Sequence, residues 1–142
     1  MKKIRSALIS LTNKSNLKPL LHILKKNNIK LISSGGTHKK IRKLKFKCLE
    51  VSEFTGFKEI LGGRVKTLHP KIHAGILNKR NNKSHQKDIK NNSFQNIDLV
   101  IVNFYPFEKT LGQIKDHNKI VENIDVGGPT MVRAAAKNYN DV

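Results

Sequence analysis

The 142-residue sequence has little cysteine, acid or aromatic character, and each shortage removes a class of protein. There is one cysteine, Cys48, and no tryptophan. A single thiol cannot build an intramolecular disulfide framework or a multi-cysteine metal centre. No apolar run approaches the roughly 18–20 residues needed to cross a bilayer. The basic start Met1-Lys2-Lys3-Ile4-Arg5 faintly resembles the beginning of a secretory signal. The apolar stretch behind it is interrupted at Ser10 and ends at Thr12-Asn13-Lys14, too short for a signal core. These absences predict a soluble cytoplasmic protein with no membrane partner. No internal repeat or linker-like stretch divides the chain, and its length fits a single domain of about 100–150 residues. With 37% hydrophobic residues it can still bury a core, which excludes wholesale disorder.

The scarcity of acid leaves a large positive balance: 28 Lys and Arg against 10 Asp and Glu, a formal charge of +18. Such a charge suggests a polyanionic partner, but its make-up argues otherwise. Twenty-three of the 28 are Lys and five are Arg, while Asn and Ile each occur 15 times. Lys, Asn and Ile share A/T-rich codons, so a biased genome raises all three together. Nucleic-acid binders rely more on Arg for bidentate contacts and on aromatics interleaved with charge. Here aromatics make up 6% and the Lys residues are scattered. The composition predicts no nucleic-acid partner and stays compatible with a small anionic substrate.

What is present is an alternation of apolar runs and helical spacings. Residues 4–11 read as a buried strand, and Leu17, Leu20, Leu21 and Leu24 mark a helix over 16–28. Residues 29–33 read as a second strand, broken by Ser34-Gly35-Gly36-Thr37, and 38–44 as a short basic helix. A brief third strand is expected at 48–51. Residues 52–77 look irregular, and 78–96 form a polar basic stretch suited to an exposed helix or loop. The strongest strand signal is 97–105, whose four consecutive aliphatics, Leu99 to Val102, suggest burial on both faces. Helices are expected at 107–114 and 130–138, the latter opened by Gly127-Gly128-Pro129. Strand–helix alternation predicts an α/β fold with a mainly parallel sheet and helices on both faces. Ligands bind such folds at the carboxyl ends of the strands.

Four segments at those positions can carry chemistry. The pair Gly35-Gly36, flanked by Ser34 and Thr37, lets backbone amides approach a phosphate without a Cβ in the way. A following helix N-terminus adds favourable dipole. The same four residues also read as a plain tight turn, and Lys14 either adds charge to that phosphate or only solubilises. Arg64, Lys66 and Thr67 supply a fork, an ammonium and a hydroxyl within four residues. His69 and His73 have the four-residue spacing of a zinc pair, but Pro70 between them argues against a regular helix and no third ligand follows, so no metal is expected. Tyr105 can donate to a developing oxyanion. Asp125, before a Gly-Gly turn, is either a helix-leading structural residue or, with Lys137, a proton-transfer partner.

In order along the chain, LISLTNK (8–14), LISSGGT (31–37), VSEFTGF (51–57), GRVKTLHPKIHAG (63–75), IDLVIVNFYPF (97–107) and ENIDVGGPTMVRAAAKN (122–138) resemble the IMP cyclohydrolase domains of bifunctional AICAR formyltransferase/IMP cyclohydrolase proteins. The resemblance implies a methylglyoxal-synthase-like fold and one reaction in purine biosynthesis, the dehydrative closure of FAICAR to IMP, with no cofactor or metal. It implies that Thr12, Asn13, Lys14, Ser34, Gly35, Gly36 and Thr37 hold the 5′-phosphate. Arg64, Thr67, Asn103 and Val126 would contact the rest of the nucleotide. Lys66, Tyr105, Asp125 and Lys137 match the residues proposed for the chemistry, with Lys137 as the favoured proton donor and acceptor. Asn13 departs from the usual Asp, a loss of charge that weakens the expected orientation of Lys14.

The family's domain continues past residue 142, and a larger formyltransferase domain follows it. Residues 1–142 are therefore expected to form a C-terminally incomplete cyclohydrolase domain with an exposed strand edge or helix face. Formyltransferase activity, with its substrate 10-formyltetrahydrofolate, is expected outside these residues, and the full-length protein is expected to be a homodimer. The alternatives are a non-catalytic module of the same fold that binds phosphorylated ligands, and a basic nucleic-acid-binding domain.

Overall fold

A computed structural model describes residues 3–142, with Lys109 described by its backbone alone. Met1 and Lys2 of the signal-like start lie outside the described residues. The core is a four-stranded sheet of β1 (Ser6–Ser10), β2 (Lys30–Ser33), β3 (Leu49–Glu50) and β4 (Leu99–Val102), in the order β3-β2-β1-β4. All three pairings are parallel, as the alternating pattern predicts.

The pleat divides the apolar side chains between two layers. Ala7 and Ile9 of β1 and Leu31 of β2 face Leu17, Leu21 and Leu24 of α1 (Leu17–Lys26) and Ile41 of α2 (Gly35–Lys43). Leu8 and Ile32 point the other way. They meet Val51 and Phe54 of α3 (Val51–Thr55), Ile72 and Ile76 of α4 (Pro70–Leu77) and Met131 of α8 (Gly127–Lys137). Each fully buried Leu or Ile contributes about 1.5–3 kcal/mol of transfer free energy, so two such layers stabilise a small sheet. The apolar side chains of β4 also alternate between the layers, Leu99 and Ile101 against the first and Val100 and Val102 against the second. However, β4 is an edge strand and all four are only half-buried, less than the expected burial on both faces.

Several boundaries differ from the sequence reading for local reasons. Helix α2 begins at Gly35, so the two glycines form its first turn and not a loop before it. Strand β3 stops at Glu50 because that residue caps α3. Its side chain accepts from the Ser52 amide, while Glu53 accepts from the Glu50 amide in a reciprocal capping box. The stretch expected to be irregular holds α3, a single 3-10 turn at Leu61–Gly63, and α4. Pro70 does not break a helix here; it starts one. It sits in the first turn, where its missing N–H costs nothing, and His69 Nδ1 caps the Lys71 amide at 3.1 Å. His69 therefore lies outside the helix that carries His73, and the two do not share a helix face. The polar stretch holds α5 (Lys83–Asn91). Beyond β4 come α6 (Phe107–Gln113) and an unexpected α7 (His117–Glu122), capped by Asp116. Helix α8 begins at Gly127, three residues earlier than expected, because Gly127, Gly128 and Pro129 form its first turn.

The chain runs outward from β1 through β2 to β3, then returns to the other side of β1 as β4. The order therefore reverses between β1 and β4, and at such a switch point the loops leaving adjacent strands diverge and open a crevice.

Candidate functional site

The crevice is occupied by a cleft of about 760 Å³ at the carboxyl ends of β1, β2 and β4. Its floor is tied together by side chains that bond across strands. Asn103, just past β4, accepts from the Thr12 amide at 2.6 Å and the Asn13 amide at 3.2 Å, and donates to the Asn13 carbonyl at 2.8 Å. Thr37, buried in the first turn of α2, accepts from the Leu11 amide at 3.0 Å and donates to the Leu11 carbonyl at 2.8 Å. Both neighbours of β1 thus hold the loop that follows it.

Two lysines approach the glycine pair from either side. A Cβ built on Gly36 would stand 3.9 Å from Lys14 Nζ, and one built on Gly35 would stand 3.1 Å from Lys66 Nζ. Gly35 has φ +53, a conformation that costs a residue with a side chain about 1–2 kcal/mol. Lys14 Nζ donates to the Thr12 carbonyl at 3.0 Å. That bond orients the ammonium without a carboxylate at position 13. Asn13 accepts from the Ser15 amide at 3.0 Å, capping its own turn.

The acidic groups around the cleft are already engaged. Glu122 Oε1 meets Arg64 Nη2 at 2.6 Å, with both side chains 61% exposed, so solvent screens the pair. Asp125 Oδ1 accepts from the Gly128 amide at 2.9 Å at the start of α8, and its Oδ2 lies where a Gly128 side chain would begin. That is the helix-leading role, and it also fixes the carboxylate at the cleft wall. Burial pushes the Glu50 carboxyl up. Hydrogen bonds from the Ser52 hydroxyl and amide, then the Gly35 amide and the nearby His38, outweigh it and leave the pKa below the ordinary range. Burial lowers His73, partly offset by a hydrogen bond to the Thr67 backbone. Burial pushes the Cys48 thiol up to about 12, so it is no nucleophile near neutrality.

Of the residues singled out in the sequence, Thr12, Lys14, Ser34, Gly35, Gly36, Thr37, Arg64, Lys66, Thr67, Asn103, Tyr105, Asp125 and Val126 all line this one cleft. Two do not. Asn13 contributes its backbone to the Asn103 contact, with its side chain turned to Ser15. Lys137 is the last residue of α8, exposed, ten residues from Gly127 and so about 15 Å along the helix axis. The sequence reading missed Glu122 as the partner of Arg64 and Glu50 as the acceptor for the Gly35 amide. Neither leaves a local signal, because each contact joins residues distant in the chain.

A model of the MGS-like domain matches residues 16–130. The chain belongs to the MGS-like domain family. Among curated proteins this MGS-like domain is 50% identical over 137 residues to the bifunctional purine biosynthesis protein PurH of Prochlorococcus marinus (strain MIT 9301), covering 96% of this chain and 26% of that protein. It is also 50% identical over 139 residues to PurH of Clostridium acetobutylicum and 47% identical over 143 residues to PurH of Magnetococcus marinus. The chain spans about a quarter of the length of these relatives: 28% of the Clostridium protein and 27% of the Magnetococcus one. The crystal structure of ForH superposes with a TM-score of 0.82 at 29% identity, over 98% of this chain and 71% of that one. The MGS-like assignment fits the parallel four-stranded sheet and the switch-point cleft. No helix among the described residues is long and apolar enough to cross a membrane.

Proposed function

We propose that this MGS-like domain is an IMP cyclohydrolase of purine biosynthesis, closing FAICAR to IMP. The observation that supports this reading most strongly is convergence. Four segments distant in sequence, around Lys14 and Gly35, Arg64 to Thr67, Asn103 to Tyr105 and Asp125 to Val126, bring donors, cations and one carboxylate to a single cleft. The identity to PurH proteins over nearly the whole chain points to the same chemistry.

In this reading the 5′-phosphate lies against the first turn of α2, between the Lys14 ammonium and the Thr37 end of the turn. Arg64, Thr67, Asn103 and Val126 line the space for the rest of the nucleotide. The carboxamide nitrogen attacks the formyl carbon, forming the ring N–C bond. One proton leaves that nitrogen and one leaves the formamido nitrogen, and the formyl oxygen departs with them as water as the ring C=N bond forms. Holding both groups within one small molecule in a near-attack geometry removes much of the entropic barrier. Asp125, fixed by Gly128, faces the amide. Tyr105 and Lys66 serve the developing charge on the formyl oxygen. The reaction calls for no metal or cofactor.

Lys137, which the resemblance implies as proton donor and acceptor, is not among the residues that line its own cleft. It joins this chemistry when a second copy presents it, which is the part the proposed homodimer plays. The formyltransferase activity and its 10-formyltetrahydrofolate substrate are assigned to other parts of the longer relatives, and the site of action to the cytoplasm. Conversion of FAICAR to IMP by the purified chain, followed by ultraviolet absorbance, tests the reading; a folded chain without turnover contradicts it.

A further inference from the structure

Lys66 forms part of the wall between the main cleft and a smaller cavity of about 210 Å³, and it lines both. Glu59 lines the smaller cavity and not the main cleft. Glu59 Oε1 lies 3.9 Å from Lys66 Nζ. Glycine makes this meeting possible. A Cβ on Gly63 would stand 3.1 Å from Lys66 Nζ and 3.0 Å from Glu59 Cδ, and would overlap Glu59 Oε1. Gly63 closes a run of three left-handed residues, with Leu61 at φ +51, Gly62 at +60 and Gly63 at +88. The reversal brings residues seven apart in sequence face to face over one bare α-carbon. On its other side, Lys66 Nζ lies against Gly35, the second place where a side chain would intrude.

We propose that Glu59 is a positioning residue for Lys66, one that the cyclohydrolase reading does not include but on which its use of Lys66 rests. Glu59 holds the ammonium over Gly63 and aims it past Gly35 into the cleft, and it acts on the nucleotide only through Lys66. Gly63 is required because any side chain there would separate the pair.

The test uses Glu59→Gln, which keeps the size and removes the charge. In the ligand-free chain, the Lys66 Nζ nitrogen resonance, assigned by its loss in Lys66→Ala, shifts in Glu59→Gln. With FAICAR, Glu59→Gln lowers kcat about tenfold and leaves KM within about twofold, while adding no further loss in a Lys66→Ala background. Gly63→Ala reproduces the Glu59→Gln effects; if Gly63→Ala fails to fold, Glu59→Gln carries the test alone. An unmoved Lys66 resonance overturns the proposal whatever the turnover. So does an equal loss of kcat in both backgrounds, because Glu59 would then act independently of Lys66. If the unmodified chain shows no turnover, the cyclohydrolase reading falls, and the resonance by itself decides the pairing.

Discussion

The Asn103 carboxamide, at the end of β4, uses both its ends on the loop after β1: its oxygen accepts from the amides of Thr12 and Asn13, and its nitrogen donates to the Asn13 carbonyl. The Lys14 ammonium is in turn bonded to the Thr12 carbonyl. One side chain just past an edge strand therefore sets the position of a cation proposed to hold phosphate. Asn103→Ala leaves two amides and a carbonyl without partners, at a cost of about 1–3 kcal/mol, and loosens the Lys14 loop. Urea denaturation should show the lost stability and isothermal titration with IMP the weaker binding. Stability and affinity equal to the parent's would show that the loop holds itself.

Thr37 makes a parallel case on the other side of β1. Its hydroxyl, on a residue 4% exposed, both accepts from and donates to the Leu11 backbone. Thr37→Val keeps the shape and removes both bonds, with an expected loss of about 1–3 kcal/mol. Thr37→Ser should recover most of that loss, and a Ser variant as unstable as the Val variant would assign the effect to packing.

Two shifted groups place the acid limit of stability. Burial lowers the His73 pKa below its ordinary 6.5, so the unfolded chain binds that proton first as pH falls. The His73 contribution is therefore present above pH 6.5 and lost as pH drops below it. Glu50, also lowered, from 4.5, contributes stability that is present above pH 4.5 and lost as pH falls through its folded value. Thermal denaturation across pH should show two separate declines. His73→Gln should flatten the first and Glu50→Gln the second, and an unchanged slope just below pH 6.5 in His73→Gln would remove that residue from the explanation.

Lys66 lines the cleft and Lys137 lies at the far end of α8. If a second copy supplies Lys137, then Lys66→Ala and Lys137→Ala, each strongly impaired alone, should regain activity when mixed. Statistical pairing limits the recovery to about a quarter of the sites in a dimer whose subunits exchange freely. Lys137→Ala by itself should leave IMP affinity within about twofold, since the side chain is proposed to move protons and not to hold the nucleotide. Inactive mixtures would refute shared sites, and full activity of Lys137→Ala would remove that residue from the chemistry.

The sheet was legible where chemistry and geometry agree locally. The aliphatic runs of β1 and β4, and the Leu17, Leu21 and Leu24 spacing of α1, carry their burial in the residue types. Helix α7 was not legible because HNKIVE buries nothing and so shows no apolar stripe. Helix α4 was hidden by Pro70, which breaks a helix interior but suits a first turn; only the His69 cap reveals which applies. Thirteen of the fifteen site residues reached one cleft because short motifs sit at strand ends, where the α/β topology gathers them. The partners that hold the site charges were not legible. Glu122 meets Arg64 across 58 residues and Glu59 meets Lys66 across a reversal built on three left-handed residues, neither of which leaves a periodic signature.

The most direct test is ring closure itself. Purified chain, shown by circular dichroism to be folded and by titration to bind IMP, is mixed with FAICAR in the presence of a chelator and followed by ultraviolet absorbance. A cyclohydrolase should release IMP with saturation kinetics, and Lys66→Ala should lower kcat/KM by at least about 100-fold. A folded, IMP-binding chain that leaves FAICAR at its uncatalysed rate would contradict the assignment and leave a domain that binds the nucleotide without acting on it.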